Sequence, residues 1–114
     1  MKIVSVRQMK TIEKKALEVG ISPDMLMEAA GLGIASRISS YIQSSGTGQV
    51  LALIGPGNNG GDGLVASRIL TSRNIPVVIY LATSNTNCPA KYQECLELGI
   101  PVIRATEDPQ QKLL

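Results

Sequence analysis

The spacing of apolar positions along the chain changes once, near Gln49. Before that point they recur at helical intervals. Met9, Ile12, Ala16 and Val19 fall on one side of a segment that opens on Ser5, with Gln8 three positions on in the capping-box pattern, and closes on Gly20. Met27, Ala30, Ile34, Ile38 and Ile42 mark a second stripe, with Ser22 as N-cap, Pro23 at the first helical position and Asp24 near the positive end of the dipole. Gly31 and Gly33 inside that stripe each cost about 1 kcal/mol relative to alanine, a cost that close approach to another backbone would offset.

After Gln49 the apolar residues run together. Gln49 to Gly55, "QVLALIG", has no alternation, as expected of a strand buried on both faces of a parallel sheet. "IPVVIYLA" and "IPVIRA" supply two more strands. Between them lie two helical segments, one with Val65, Ala66, Ile69 and Leu70 on one side, the other opened by Pro89 and closed by Gly99. The order predicts an α/β domain, a Rossmann-like three-layer α/β/α arrangement with a mostly parallel sheet and two helices ahead of the first strand. It occupies residues 1–114 without repeat or linker. Past Arg104, Asp108 and Pro109 read as the start of a helix of about one turn, too short to stand alone. Three strands also leave bare edges. The chain therefore reads as a truncated first half of a longer domain rather than a small domain with a frayed tail.

Composition narrows the chemistry. The net charge of +2 is scattered, and Lys14-Lys15, on the polar side of the first helix, is the one adjacent basic pair. With three tyrosines and no Phe or Trp there is no stacking platform for single-stranded nucleic acid, and no nucleic-acid partner is expected. There is no histidine, so imidazole-based proton transfer is excluded from this chain. Cys88 and Cys95 cannot complete a four-ligand zinc site and read as packing or loop thiols. Neither a signal peptide nor a run of about 20 apolar residues is visible, so no membrane is expected and the reading is cytoplasmic, with reduced thiols.

The candidate chemistry sits in "GPGNNGGDG", Gly55 to Gly63, which holds five of the eleven glycines. Gly55, Gly57 and Gly60 match the dinucleotide fingerprint and lie between a strand and a helix. Two expectations of that fingerprint fail. The second strand ends Tyr80-Leu81-Ala82 without the acid that would hold a ribose, and Asp62, at the first turn of the next helix, would repel a phosphate there. The Gly-Lys-Ser/Thr of a P-loop is missing too. Asp62 could complement the helix dipole, and Asn58 and Asn59 could occupy left-handed turn positions. Alternatively, two amides, an acid and four glycines between Gly57 and Gly63 form a concavity at the carboxyl end of a strand, where open α/β sheets bind small molecules. Amide and main-chain oxygens there also suit a hard cation. Glu28, on a helix of small and apolar residues, reads as a solvated or capping acid in preference to a catalytic one.

Gly55 to Gly63, followed by Leu64-Val65-Ala66-Ser67-Arg68, resembles the loop of the YjeF N-terminal domain family, the NAD(P)H-hydrate epimerases. Leu26-Met27-Glu28-Ala29-Ala30-Gly31 resembles the family's Met-Glu-x-Ala-Gly helix, and Gly99-Ile100-Pro101-Val102 also fits. The resemblance covers nearly the whole chain and about the first half of the family's domain. It implies an isomerase of cofactor repair, which interconverts the R and S hydrates of NADH and NADPH so that an S-specific dehydratase, in many bacteria on the same polypeptide, can restore the cofactor. Carried over by motif, Asn58, Asn59, Gly60, Gly61 and Asp62 would bind the hydrate, and Asn59 would help hold a potassium ion. The catalytic residue is expected beyond Leu114. A homodimer is compatible with the resemblance. The alternative is a non-catalytic ligand-binding or dimerisation scaffold, since related domains serve as scaffolds, including in mRNA decapping.

Overall fold

A computed structural model describes residues 14–15, 17–46, 48–83, 87–110 and 112, except the side chains of Asn58 and Asn59. The predicted cap at Ser5 and Gln8, and Met9, Ile12 and Ala16, lie outside these residues. Where the first helix is described it ends as expected. Gly20 adopts a left-handed φ of +86°, and its N–H donates to Leu17 O at 3.1 Å. Lys14 and Lys15 are exposed. Val19 is exposed too, because it lies in the turn past the helix and not on its face.

Helix α1 spans Pro23–Ser45. Ser22 caps it through a hydrogen bond from Met25 N–H to its Oγ at 3.1 Å, and Gly46 ends it at φ +83°. The buried residues on α1 are Gly31 and Ala35, with Met27, Ile38 and Ile42 half-buried, whereas Ala30 and Ile34 are exposed. The expected stripe is thus rotated. A Cβ on Gly31 would overlap Val65 and approach Ala66 N to 3.1 Å, so the small residues face the next helix and push Ile34 outward. Gly33 meets nothing within 4 Å, so the compensation expected for both glycines holds for Gly31 alone.

Strand β1 (Val50–Ile54) leads into α2 (Asn58–Ser72), β2 (Val77–Leu81), α3 (Pro89–Glu97) and β3 (Val102–Arg104), followed by a 3-10 turn at Ala105–Glu107. The strands form an open parallel sheet in the order β1-β2-β3, with Val50 opposite Val77 and Ile79 opposite Val102. Between α2 and β2, Asn74 turns the chain in the left-handed region at φ 63°, which asparagine tolerates. Alternate strand residues Ile54, Ile79 and Leu81 enter the core with Leu64, Leu70, Cys95 and Ile100. Helix α2 lies on this face, between α1 and α3.

The opposite sheet face leaves Leu53 63% and Leu51 44% exposed. Tyr80, in register with Leu53, is buried there and donates its hydroxyl to the buried Asp108 carboxylate at 3.2 Å. Asp108 also accepts Lys112 N–H at 3.0 Å, so it caps the C-terminal turn where a helix start is expected. Among the described residues no helix is long and apolar enough to cross a membrane.

Candidate functional site

Helix α2 begins at Asn58, so most of the glycine-rich segment is helical rather than loop. Glycine is a poor helix former, and contact explains its use here. A Cβ on Gly60 would overlap Gly55 O. One on Gly61 would lie 2.5 Å from Met27 Cε and 2.7 Å from Cys88 Sγ, and one on Gly63 2.8 Å from Ile54 Cδ1. Three glycines therefore let the start of α2 press onto the end of β1, onto α1 and onto the residue before α3.

Gly55 and Gly57 behave differently. Neither has a neighbour within 4 Å of its Cβ position, and Gly57, the extended N-cap residue, uses no side chain to cap the helix. The turn thus opens onto the surface, and the first N–H groups of a helix have no intrahelical acceptor. The far side of the turn is tied down by Asn87 N–H, which donates to Pro56 O at 3.3 Å.

Asp62 is the fifth residue of α2, not a member of its first turn. The dipole effect fades within that turn, so complementing the helix end does not account for the carboxylate. Nor are Asn58 and Asn59 left-handed: both are helical, and Asn74 is the positive-φ residue other than glycine among the described residues. The spacing from Asn58 to Asp62 instead puts the two on one helix face. Asp62 is half-buried, and burial raises its pKa from the ordinary 3.8. Among the described residues none offsets that cost with a hydrogen bond or charge.

As ligands for a hard cation the turn carries one carboxylate, Asp62, and two asparagines at the helix start, while its Pro56 and Gly57 carbonyl oxygens already accept the N–H groups of Asn87 and Gly60. Among the described residues no three His, Cys, Asp or Glu side chains converge as metal ligands. A groove of about 390 Å³ lined by Arg68, Ser72, Glu94, Glu97 and Leu98, and another of about 250 Å³ at the opposite end of the strands, both lie away from the turn.

Glu28 belongs to an ion-pair network that the sequence does not reveal. Arg68 donates from Nη2 to Glu28 Oε1 at 2.7 Å and from Nη1 to Glu94 Oε2 at 2.8 Å. Lys91 Nζ reaches Glu28 Oε2 at 3.2 Å and Asp24 Oδ1 at 2.8 Å. The Arg68 hydrogen bond is the main reason the Glu28 carboxyl sits below its ordinary value. Glu28 is thus part-exposed but no cap: it joins α1 to α2 and α3. An arginine inside the apolar "LVASRIL" was the available signal for this missed network.

Cys95 is fully buried and donates its thiol to Leu64 O at 3.2 Å; burial pushes that thiol up to about 11. Cys88 is half-buried against Gly61, and neither cysteine is in a disulfide.

Known proteins resemble this chain in sequence and in fold. The chain is 55% identical over 62 residues to an NAD(P)H-hydrate epimerase of Yarrowia lipolytica, covering 54% of this chain and 25% of that protein. It is 32% identical to an NAD(P)H-hydrate epimerase of Neurospora crassa across 90% of this chain and 45% of that one. A bifunctional NAD(P)H-hydrate repair enzyme Nnr of Thermofilum pendens is 33% identical across 99% of this chain and 22% of its own length. The crystal structure of yeast ynu0, YNL200c, superposes with a TM-score of 0.79 and 27% identity, over 99% of this chain and 50% of that one. The chain therefore spans at most half the length of these relatives. Residues 23–113 match the family model described as YjeF-related protein N-terminus, and the chain belongs to that family.

Proposed function

We propose that this chain carries the substrate-binding turn of an NAD(P)H-hydrate epimerase, an isomerase that interconverts the R and S hydrates of NADH and NADPH. One observation carries the reading. Asn58 and Asp62 share a face of α2 at the carboxyl end of β1, beside glycines that leave the approach open. Relatives named NAD(P)H-hydrate epimerase support it, and the relative named a bifunctional NAD(P)H-hydrate repair enzyme supports a place in cofactor repair.

In this reading the main-chain N–H groups of the first turn, with Asn58 and Asn59, hold the polar end of the hydrated nicotinamide ring. Gly60 and Gly61 keep the helix start close to the sheet. Asp62 accepts a hydrogen bond from the hydrate's hydroxyl, replacing the hydration that burial removed from its carboxylate. It is a binding residue and not the proton-transfer group. Asn59 would hold a potassium ion through its amide oxygen, supplying a fixed positive charge beside the substrate. The protein would work in the cytoplasm, and a homodimer is compatible with this reading.

The test uses the longest natural polypeptide containing this segment. Conversion of R to S hydrate of NADH is followed by chromatography, with and without potassium. Acceleration above the spontaneous rate that depends on potassium supports both assignments. A folded protein that gives no acceleration would leave the scaffold reading in place.

A further inference from the structure

The ion-pair network lies next to the proposed binding turn, and two of its members border the side chains that press on Gly61. Met27 precedes Glu28 on α1, and Cys88 stands three residues before Lys91 at the start of α3. Met27 Sδ and Cys88 Sγ lie 2.6 and 2.7 Å from the Cβ position of Gly61, immediately before Asp62. The spacing of α1 and α3 at this level therefore decides how tightly the turn is gripped. The direct link between those two helices is Lys91, whose ammonium bridges Asp24 and Glu28 and whose side chain is 12% exposed.

We propose that the Lys91–Glu28 pair is a positioning pair for the binding turn. It holds α1 and α3 at the separation that presses Met27 and Cys88 onto Gly61, and so fixes where Asp62 points. Arg68 ties α1 to α3 as well, but through α2 and one turn further along α3. It joins Glu28 to Glu94 across the middle of α2, whereas Lys91 reaches Asp24 near the start of α1. This inference rests on Asp62 being a substrate-binding residue, but its mechanical part can be measured without substrate.

The experiment again uses the longest natural polypeptide. Lys91→Met keeps the aliphatic stem and removes the charge. Two quantities are read on the folded variant: the rate at which iodoacetamide alkylates Cys88, located by peptide mass, and kcat and KM for NADH hydrate. Cys95, fully buried and with its thiol pushed up to about 11, stays silent. Loss of a part-buried pair should speed alkylation by roughly fivefold and raise KM by a similar factor while kcat changes by less than about twofold. Lys91→Arg should restore both. Unchanged alkylation and unchanged KM would overturn the proposal, and so would a rise in KM without faster alkylation, which would mean that Lys91 acts on the ligand and not on the turn. If Lys91→Met does not fold, Glu28→Gln, which retains a hydrogen bond to Arg68, is read in the same way. Should the wild-type protein turn over no hydrate, the functional reading falls, and alkylation alone decides whether the pair grips the turn.

Discussion

Gly31 on α1 lies so close to Val65 on α2 that a Cβ on the glycine would sit 2.5 Å from the Val65 Cβ. The same helix carries Gly33, whose Cβ position meets nothing. The two glycines have the same intrinsic helix cost and opposite surroundings. Gly33→Ala should stabilise the protein by about 0.5–1 kcal/mol, because alanine is the better helix former and nothing must move. Gly31→Ala should destabilise it by about 2–3 kcal/mol, since Val65 and the α2 backbone would have to retreat. Denaturant titration of the two variants checks this, and shifts of the same sign would refute the packing account.

A similar contrast divides the glycine-rich turn. The Cβ of Gly60→Ala would overlap the Gly55 carbonyl oxygen, a main-chain atom that cannot swing aside, so a loss of about 3 kcal/mol or more is expected. Gly61→Ala meets the flexible end of Met27, with Cε at 2.5 Å, and also Cys88 Sγ at 2.7 Å, and should lose about 1–2 kcal/mol. Met27→Ala in the Gly61→Ala background should recover part of that loss, a coupling of about 1 kcal/mol in a double-mutant cycle. Additive effects would mean that the thioether does not press on Gly61.

The ion-pair network predicts an acid limb of stability. The folded-state pKa of Glu28 lies below its ordinary 4.5, lowered first by the Arg68 hydrogen bond. A depressed carboxylate contributes stability that is present above the unfolded pKa and lost as pH falls through the folded one. Melting temperature should therefore drop between about pH 5 and pH 3, and Glu28→Gln should flatten that drop while lowering stability at neutral pH. Salt should weaken the contribution, because the pair is partly exposed. A wild-type acid limb unchanged in Glu28→Gln would assign it to other carboxylates.

The element order and the position of the glycine-rich turn were legible because both rest on local signals. A continuous apolar run reads as a parallel strand, although β1 is buried on one face and not on both, with Leu51 and Leu53 exposed on the other, and a glycine cluster after it reads as a close approach. The start of α2 was not legible. Gly60, Gly61 and Gly63 favour a loop by propensity, and only contacts with Gly55, Met27, Cys88 and Ile54 hold them in a helix. On α1 the helical period was right and the phase was wrong. The sequence pattern ranks Ile34 above Gly31 for burial, but a closely packed helix pair needs its smallest residues at the contact. The Arg68–Glu28 and Lys91–Glu28 bonds join residues 40 and 63 positions apart, a separation for which no local pattern exists.

Asp62 supplies the prediction that separates a binding residue from a structural one. Burial raises its pKa above the ordinary 3.8, so the folded state disfavours its charge. For a raised carboxylate, stability is fully present below the unfolded pKa and is lost as pH rises through the folded value. Asp62→Asn removes that loss and should melt slightly above wild type at neutral pH, with the difference vanishing below about pH 4. In the longest natural polypeptide it should also lower conversion of NADH hydrate sharply, because the amide oxygen accepts only a neutral hydrogen bond from the hydroxyl where the carboxylate accepts a stronger, charge-assisted one. Gain in stability with loss of turnover is the expected signature of a residue kept for ligand and not for fold. If Asp62→Asn melts below wild type and its turnover tracks only the folded fraction, the carboxylate serves the start of α2, and the hydrate must be held elsewhere.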